Sequence, residues 1–487
     1  MEKLTDEQQE VFNKLVAGKN IFLTGNAGTG KSFVLGKFID YLHDNEIEHI
    51  VLAPTGIAAL NLRGGTTIHR TLKLPIGFLD PHEDVKTPPK VLSAARVIVI
   101  DEISMCRIDL FERIMKMIRK AERKSTRKQI VLVGDFFQLP PVVADDDEKI
   151  LMRCYPGNTN GWCFKSAYWQ GFGFEPFVLK KVVRQNDLEF IENLNLARNG
   201  DTSCIDYFNN HAVSDRQYVH NNKDTIFLCN TNRLAKNINE EEMAELEEEI
   251  YTFRGVSSGK VGKGDKPAEE ELSLCIGAKV MTLTNDPQGE YVNGSRGVIT
   301  GIDRDEKRVA VLFDDTGRVA IIKPHTWEVL KSEGVPAKGK DGKEILKVKT
   351  EVIGQYIQLP LKLAYAITIH KSQGLTFTKC ALHTKTFSAG QLYVGLSRCS
   401  TIEGLTLFPK IEKSRLQADQ DVVEFYKTLE DPNAKTSIDI PRKYKEQVQG
   451  FLESLDNLEV SGYEMIKCPA KYSIRVKEYI DFLKAED

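Results

Sequence analysis

The sequence predicts an α/β fold whose sheets are parallel. Four short runs are rich in Val, Ile and Leu, as buried strands are: residues 20–24, 50–53, 97–100 and 130–133. Three segments between them carry apolar side chains at helical spacing: residues 32–42, 56–62 and 108–121. Because strands that alternate with helices pair in parallel and are covered on both faces, this order predicts a parallel sheet between two helical layers.

Length and composition indicate an ordinary globular protein of about three domains. The chain has 487 residues, 41% hydrophobic and 28% charged, with a formal net charge of −3. No apolar run approaches the roughly 20 residues of a membrane span, and the polar, acidic first residues do not resemble a secretory signal. The nine cysteines are scattered, which predicts reduced thiols in a cytosol-like compartment and neither a zinc site nor a disulfide framework.

The rest of the chain predicts further units. Residues 177–183 and 225–229 have the pattern of strands and residues 187–198 that of a helix, so a second α/β region is expected from about residue 176. A small antiparallel barrel is predicted from four short strands: residues 280–283, 297–302, 308–313 and 318–322. Residues 331–349 predict a mobile hairpin or loop of that barrel. Because α/β character returns from about 359 to 407, the barrel is expected to be an insertion.

One segment has the pattern of a nucleotide-binding loop with the form G-x-x-x-x-G-K-S: Gly25-Asn26-Ala27-Gly28-Thr29-Gly30-Lys31-Ser32. Glycines let backbone N–H groups face phosphates, the following helix adds its positive dipole end, and Lys31 reaches the β- and γ-phosphates. The Ser32 hydroxyl would bind Mg²⁺. The alternative is a glycine-rich turn before an ordinary helix. With strand, loop, Lys, Ser and helix in order, the pattern favours a protein that binds a nucleoside triphosphate.

Two carboxylates end the predicted strand at 97–100. Asp101 is suited to hold Mg²⁺, directly or through water, and Glu102 to orient and deprotonate the attacking water, which indicates a hydrolase. The alternative is a strand followed by two solvated acids. A nucleotide-binding loop at this spacing favours the catalytic interpretation.

A further predicted strand ends in Gly134-Asp135-Phe136-Phe137-Gln138. An amide at Gln138 could contact the γ-phosphate and so respond to hydrolysis. The two phenylalanines belong either to the core or to a platform on which bases stack.

Two arginines stand apart from this region, Arg184 and Arg398. Motor ATPases complete their site with arginines from a neighbouring domain, and the alternative for each is a surface salt bridge.

Taken in order, these motifs resemble those of the superfamily 1B DNA helicases, and more narrowly of the PIF-type helicases related to the RecD-like group. Seven motifs between about residues 4 and 407 carry the resemblance: residues 25–32, 53–59, 101–102, 134–140, Arg184, 366–376 and 394–398. Residues 107–114 resemble an additional signature of that family. The chain beyond about residue 408 is not covered by the resemblance.

The resemblance implies two RecA-like P-loop domains with parallel sheets, ATP and Mg²⁺ bound between them, and 5′→3′ translocation on single-stranded DNA with unwinding of duplex. It divides the chain into a first domain at 1–175 with a wedge-like insert at about 72–90, and a second domain at 176–279 and 358–410. An SH3-like barrel is expected at 280–357, and a charged, mostly helical C-terminal extension of unknown role at 411–487.

The resemblance also implies roles for single residues. Gln8 would contact adenine, Gln138 would sense the γ-phosphate, and Arg184 and Arg398 would be arginine fingers. DNA contacts would come from Thr55, Thr67, His69, Thr368, His370, Lys371 and Ser372. Such side chains hold phosphates without reading base edges. The alternative for each is a turn or core residue whose hydrogen bonds are satisfied.

The partners expected from the resemblance are single-stranded DNA and its junctions with duplex, with no membrane. We expect a monomer in solution, with dimerisation on DNA open. The expected place is the cytoplasm or nucleoid of a bacterium or phage-infected cell, or the nucleus or mitochondrion of a eukaryote, and the expected role is genome maintenance. Three alternatives remain open from the residues: a regulatory NTPase that binds protein, an RNA helicase, and a RecD-like exonuclease subunit, although no cluster of nuclease carboxylates is visible.

Overall fold

The structure is a computed structural model that describes residues 3–430 apart from 56–57, 60–61, 76, 82, 84, 86, 123–126, 144, 184–186, 211–224, 315 and 339–343. Its first lobe is built on a six-stranded parallel sheet in the order β3-β2-β4-β5-β1-β6. These strands are β1 Ile21–Gly25, β2 His49–Ala53, β3 Gly65–Thr67, β4 Val97–Ile100, β5 Gln129–Val133 and β6 Glu175–Leu179. Among the described residues, the α-helices that accompany them are α1 Asp6–Val16, α2 Lys31–Asp44, α3 Ile68–Leu72, α4 Lys90–Ala94, α5 Ile108–Glu122, α6 Asp145–Cys154 and α7 Ala167–Gly171.

Strand β1 explains why this sheet lies between two helical layers. Ile21 and Leu23 share a core with Phe38 of α2, whereas Phe22 between them shares another core with Phe111 of α5. Successive side chains of a strand point to opposite faces. A strand that is apolar on both faces therefore needs helices on both sides, and the predicted parallel sheet is confirmed.

The strand expected at residues 177–183 to open the second α/β region belongs to the first sheet instead. It lies at Glu175–Leu179 and pairs in parallel with β1, from Ile21 opposite Glu175 to Gly25 opposite Leu179. Its Leu179 is buried in the same core as Ile21. An apolar run predicts a strand but carries no information about which sheet the strand will join.

The second lobe has a four-stranded parallel sheet formed by strands from both sides of a long insertion. The strands are β7 Ile226–Cys229, β18 Ala366–Thr368, β19 Cys380–His383 and β20 Leu405–Phe408, in the order β18-β7-β19-β20. Its helices are α8 Leu188–Arg198, α9 Ile205–Asn209, α10 Asn232–Ala244 and α11 Gln391–Leu396. The apolar side chains of this lobe form a separate core that contains Phe190, Leu228 and Leu382.

The insertion consists of antiparallel strands between residues 251 and 363: β8 Tyr251–Arg254, β9 Val256–Gly259, β10 Glu271–Leu274, β11 Lys279–Thr282, β12 Arg296–Asp303, β13 Arg308–Phe313, β14 Val319–Ile322, β15 His325–Lys338, β16 Glu344–Gln358 and β17 Leu361–Leu363. They form a five-stranded sheet, β14-β13-β12-β11-β17, and two smaller ones, β15-β16-β9 and β10-β8. The hairpin expected around residues 331–349 is the pair β15 and β16. The SH3-like classification of this insertion stays a prediction.

The chain returns to the first lobe after its second sheet is complete. Helix α12, Gln420–Glu430, buries Val422, Phe425 and Tyr426 in the core of the first lobe. The Phe425 ring stacks on Phe164 with the ring centroids 4.3 Å apart. Part of the segment expected to be an extension of unknown role is thus a component of the first lobe, while residues 431–487 lie outside the described part of the chain. None of the described helices is long and apolar enough to cross a membrane.

Candidate nucleotide site and nucleic-acid interface

The predicted nucleotide-binding loop connects β1 to α2 at the carboxyl edge of the first sheet. Gly25, Gly28 and Gly30 all have positive φ angles, so the loop can curl around a group placed above the start of α2. The Lys31 ammonium donates hydrogen bonds to the carbonyl oxygens of Gly25 at 2.8 Å and Asn26 at 3.1 Å. The lysine therefore ties the start of the loop to the start of α2.

Gln8 supports this loop from helix α1. Its Oε1 accepts a hydrogen bond from the backbone of Thr5, the N-cap residue, and its Nε2 donates to the carbonyl of Thr29. A Cβ atom at Gly30 would lie 2.4 Å from that Nε2, so the close approach requires glycine. Gln8 is 3% exposed and both ends of its amide are bonded within the protein. Its expected contact with adenine stays a prediction.

The two predicted carboxylates lie where β4 ends. Glu102 has φ 49° and ψ 45°, a left-handed conformation, and its backbone amide donates to Asp101 Oδ1 at 2.9 Å. Burial, and then the charge of Glu102, raises the pKa of Asp101 to about 7. Burial also raises the pKa of Glu102, and the positive charges of Lys31 and Arg398 lower it. The positive charges of Lys31 and Arg398 therefore both favour the ionised form of Glu102.

The residues predicted to hold Mg²⁺, Ser32 and Asp101, suit that ion. Both offer oxygen, and Mg²⁺ is commonly held by one or two carboxylates together with substrate phosphates. The raised pKa of Asp101 arises from burial and from the neighbouring carboxylate, which a divalent cation would offset. When bound, the ion would neutralise charge that develops on the phosphates. The described residues contain no group of three or more His, Cys, Asp or Glu that could hold a metal by itself.

Residues 134–140 follow β5 and are largely buried against the same site; they form the third motif, following the nucleotide-binding loop and the two carboxylates. Asp135 is 1% exposed, and its charge raises the pKa of Glu102. Gln138 is half-buried, and its backbone N–H donates to the backbone carbonyl of Asp135 at 3.0 Å. Phe136 and Phe137 are 1% and 5% exposed. Of the two interpretations of these rings, the structure therefore favours core packing over a stacking platform.

Arg398 is one of the two predicted arginine fingers, and it lies deep within the second lobe. It is 2% exposed, and it donates to the Val394 carbonyl at 2.9 Å, to the Ser397 hydroxyl at 2.8 Å and to the Ser372 carbonyl at 3.4 Å. Its charge nevertheless lowers the pKa of Glu102 in the first lobe. The surface salt bridge is excluded for Arg398. Arg184 lies outside the described residues.

Among the described residues, side chains of the second lobe bond to the first lobe at this site, and the sequence did not single them out. Tyr393 of α11 accepts a hydrogen bond from the Ala27 amide at 3.1 Å, and Asn195 of α8 accepts one from Asn26 at 2.5 Å. Arg198 pairs with Asp135 at 2.9 Å. Only Tyr393 carried a sequence signal, since it lies within the stretch that precedes Arg398.

Glycine allows the lobes to meet closely beside the third motif. A Cβ atom at Gly390, which precedes α11, would lie 2.4 Å from the carbonyl oxygen of Gln138. In addition, each lobe places one side chain in the core of the other. Leu139 of the third motif is buried in the second core, and Tyr393 is buried in the first. The nucleotide-binding loop therefore lies at a tightly packed junction between the lobes.

The predicted DNA-contact residues of the second lobe divide into surface and buried groups. His370 and Lys371 are exposed on the turn after β18. Thr368 is 4% exposed and accepts a hydrogen bond from the Lys371 amide at 3.3 Å. Ser372 is completely buried, and its hydroxyl donates to Ile369 at 2.7 Å. Thr368 and Ser372 therefore support the turn from below, and His370 and Lys371 form its surface.

A lysine that the sequence did not single out lies beside this turn. Burial, and then the positive charge of Lys371, lowers the pKa of Lys362 on β17 to about 8. Because the two positive charges disfavour each other, an anion bound beside them would be stabilised. Lys362 belongs to the insertion, so the basic surface spans the boundary between the insertion and the second lobe.

The predicted DNA-contact residues of the first lobe lie in a different place. Thr67 lines a cleft between the first lobe and the insertion, together with Trp327 and Glu328 of β15. Arg70 and Asp265 form an ion pair across this cleft. The buried Nδ1 of His69 has no hydrogen-bond partner among the described residues. The Thr55 hydroxyl accepts from the amide of Ala58 at 3.3 Å.

Known proteins resemble the chain over nearly its whole described length. Residues 3–204 match the PIF1-like helicase family. The ATP-dependent DNA helicase Pif1 of Campylobacter jejuni is 30% identical over 452 residues, which cover 85% of this chain and 96% of that protein. The chain belongs to the Pif1 helicase family. It is therefore an ATP-hydrolysing DNA helicase, and the alternative of a regulatory NTPase is set aside.

Solved Pif1 structures agree with this assignment. A crystal structure of Bacteroides sp. Pif1 in complex with ADP-AlF4 matches with a TM-score of 0.76 and 32% identity, and covers 89% of this chain and 98% of that one. A Bacteroides Pif1 structure bound to single-stranded DNA matches with a TM-score of 0.61 at the same identity, over 88% of this chain and 97% of that one. The mixed α/β fold with a parallel sheet is thus common to these proteins.

Proposed function

We propose that this Pif1-family chain moves 5′→3′ along single-stranded DNA, with ATP bound between its two lobes, and splits duplex as it advances. The observation that carries the proposal is the hydrogen bond between Ala27 and Tyr393. Since a backbone amide of the nucleotide-binding loop bonds to the second lobe, a phosphate that enters the loop must change that contact. Nucleotide state and the packing of the lobes are therefore linked.

The hydrolysis step follows from the residues around the loop. Lys31 stabilises the β- and γ-phosphates, Asp101 and Ser32 hold Mg²⁺, and Glu102 takes the proton of the attacking water. Gln138 responds to the γ-phosphate. Arg398 supplies positive charge from the second lobe, supported by its effect on the pKa of Glu102, and Arg184 is the second finger.

DNA is proposed to cross both lobes on the side of the basic turn. His370 and Lys371 would hold phosphates there, and Thr55, Thr67 and His69 would hold them on the first lobe. The exposure of His370 and Lys371 supports this path, and the Bacteroides relative binds single-stranded DNA. Thr368 and Ser372 would act through the shape of the turn.

The arrangement of units is part of the same proposal. The first lobe and the second lobe are the two RecA-like domains, the strands between them are the SH3-like insertion, and residues 72–90 are the segment that separates the strands. The chain works as a monomer that can pair on DNA. Forks, RNA–DNA hybrids and four-stranded guanine structures are its candidate substrates in genome maintenance.

The direction of movement is tested by an unwinding assay with two duplexes of the same sequence, one with a 5′ single-stranded tail and one with a 3′ tail. The proposal expects unwinding of the 5′-tailed duplex and little of the 3′-tailed one. Lys31→Ala provides the inactive control. Unwinding of the 3′-tailed duplex alone would show that the chain moves 3′→5′. Equal unwinding of both duplexes would show that it has no preferred direction.

A further inference from the structure

Helix α12, by which the chain returns to the first lobe, ends in contact with the third motif of the ATP site. The hydroxyl of Tyr426 accepts a hydrogen bond from the Phe136 amide at 3.2 Å and donates one to Asp135 Oδ1 at 3.2 Å. It also bonds to the hydroxyl of Thr24 at 2.5 Å. Thr24 immediately precedes the nucleotide-binding loop. One side chain from outside both motifs therefore joins the loop to the third motif.

The hydrogen bonds of this hydroxyl are complete. A phenol has one proton to donate and two lone pairs that accept. The proton goes to Asp135, whose carboxylate is an acceptor because it is ion-paired with Arg198. The Phe136 amide donates to one lone pair, so the Thr24 hydroxyl must donate to the other. Burial, and then the charge of Asp135, raises the pKa of Tyr426, which keeps the phenol protonated.

Asp135 is also held by Arg198 of the second lobe, which bonds to the same carboxylate oxygen as Tyr426. Arg198 donates to it at 2.9 Å, and the side chain of Asp135 is 0% exposed. The guanidinium lies over the rings of Phe137 and Tyr426, at 4.0 Å and 4.8 Å from their centroids. The backbone carbonyl of Asp135 in turn accepts a hydrogen bond from the backbone N–H of Gln138. The position of Gln138 therefore depends on Asp135, and Asp135 depends on Tyr426 and Arg198.

We propose that Tyr426 is a positioning residue for ATP hydrolysis. By bonding to Thr24 and Asp135 together, its hydroxyl fixes the distance between the nucleotide-binding loop and the third motif. ATP binding relies on the nucleotide-binding loop and on the carboxylate of Asp101, whereas hydrolysis also needs the third motif in register with them. Loss of the hydroxyl should therefore reduce kcat while KM for ATP changes little, since a misplaced group matters most in the transition state.

The test is Tyr426→Phe in the full chain, which keeps the ring against Phe137 and Arg198 and removes only the hydroxyl. DNA-stimulated ATPase is measured over a range of ATP concentrations, together with thermal unfolding. We expect kcat to fall by about ten- to a hundredfold, with KM within about twofold of the original chain. A kcat equal to that of the original chain would overturn the proposal.

Two matched variants separate positioning from stability. Tyr155→Phe removes another buried phenol of the first lobe, which donates to Glu112 at 2.9 Å, and Phe425→Leu loosens the packing of α12 without touching Asp135. Both should lower the unfolding temperature and leave kcat unchanged. An equal loss of kcat in Phe425→Leu would show that helix docking alone is responsible and would overturn the proposal.

If Tyr426→Phe does not fold, Thr24→Val tests the proposal instead, because it removes the hydroxyl that bonds to Tyr426. Thr24 is 0% exposed, and valine has nearly the same shape without the hydroxyl. A fall in kcat at constant KM supports the proposal, and an unchanged kcat overturns it.

Discussion

The backbone amide of Ala27 donates a hydrogen bond to the hydroxyl of Tyr393, 3.1 Å away in the other lobe. Ala27 belongs to the loop that receives phosphates, and Tyr393 lies on α11, which leads to Arg398. The loop thus has one of its amides bonded to the helix that precedes Arg398, the proposed finger. Phosphate binding and movement of α11 are expected to be coupled through this bond.

Removal of that bond should make ATP bind more tightly. In Tyr393→Phe the Ala27 amide has no partner in the free protein, so a phosphate gains it without displacing the phenol. Because a net hydrogen bond contributes about 1 kcal/mol, we expect the Kd for a fluorescent ATP analogue to fall by about fivefold. Tyr365→Phe, a buried phenol of the second lobe in another cluster, is the control. Weaker binding in Tyr393→Phe would mean that the phenol itself binds phosphate.

The two buried carboxylates predict a dependence of stability on pH. Burial and Glu102 raise the pKa of Asp101 to about 7, above its ordinary value of 3.8. The folded state therefore binds more protons than the unfolded state between about pH 4 and 7. As a result, the free energy of unfolding falls as the pH rises through that window. Asp101→Asn should remove this decrease in the free energy of unfolding, because asparagine does not titrate. Thermal unfolding without nucleotide should show the variant more stable than the original chain at pH 8.

The same pair of proteins gives a second result with MgATP. The ligand should raise the unfolding temperature of the original chain much more than that of Asp101→Asn, because the variant lacks the carboxylate that holds the ion. An equal increase in both would exclude Asp101 as a magnesium ligand.

Arg398 should be irreplaceable even by lysine. Its guanidinium donates to Val394, Ser397 and Ser372 at once, and an ammonium group does not reproduce that planar arrangement. Since an arginine finger supplies about 10³ to 10⁵ in rate, Arg398→Lys should lose at least about a hundredfold in DNA-stimulated ATPase. Arg415→Lys, at an arginine that also bonds a backbone carbonyl, should keep its rate. An active Arg398→Lys would remove Arg398 from the mechanism.

The basic surface at Lys371 should determine part of the salt dependence of DNA binding. Each phosphate neutralised on a single strand contributes about 0.7 to the slope of log K against log salt. Lys371→Gln should weaken binding to oligothymidylate and reduce that slope by about 0.7, as fluorescence anisotropy at several salt concentrations would show. Lys236→Gln, at an exposed lysine paired with Glu240, should leave the slope unchanged. No change in slope for Lys371→Gln would place the DNA elsewhere.

Four of the six strands of the first sheet and the positions of Lys31 and the two carboxylates were predictable, because each depends on residues close in sequence. Strand β3 and the sheet that β6 joins were not. A strand, a loop and a helix start fix Lys31, and four apolar residues followed by two acids fix Asp101 and Glu102. The position of Arg198 was not predictable, because its partner Asp135 is 63 residues away and no local pattern distinguishes it from a surface arginine. The docking of α12 was not predictable for the same reason, because Tyr426 contacts Thr24 across 402 residues of sequence.

The most direct test of this mechanism is steady-state ATPase of the full chain with and without single-stranded DNA. A motor whose ATP site lies between two lobes that both bind the strand should hydrolyse ATP slowly alone and much faster when DNA holds the lobes in register. The Lys31→Ala variant should be inactive in both conditions. A rate that is the same with and without DNA would contradict the proposed coupling of hydrolysis to movement along the strand.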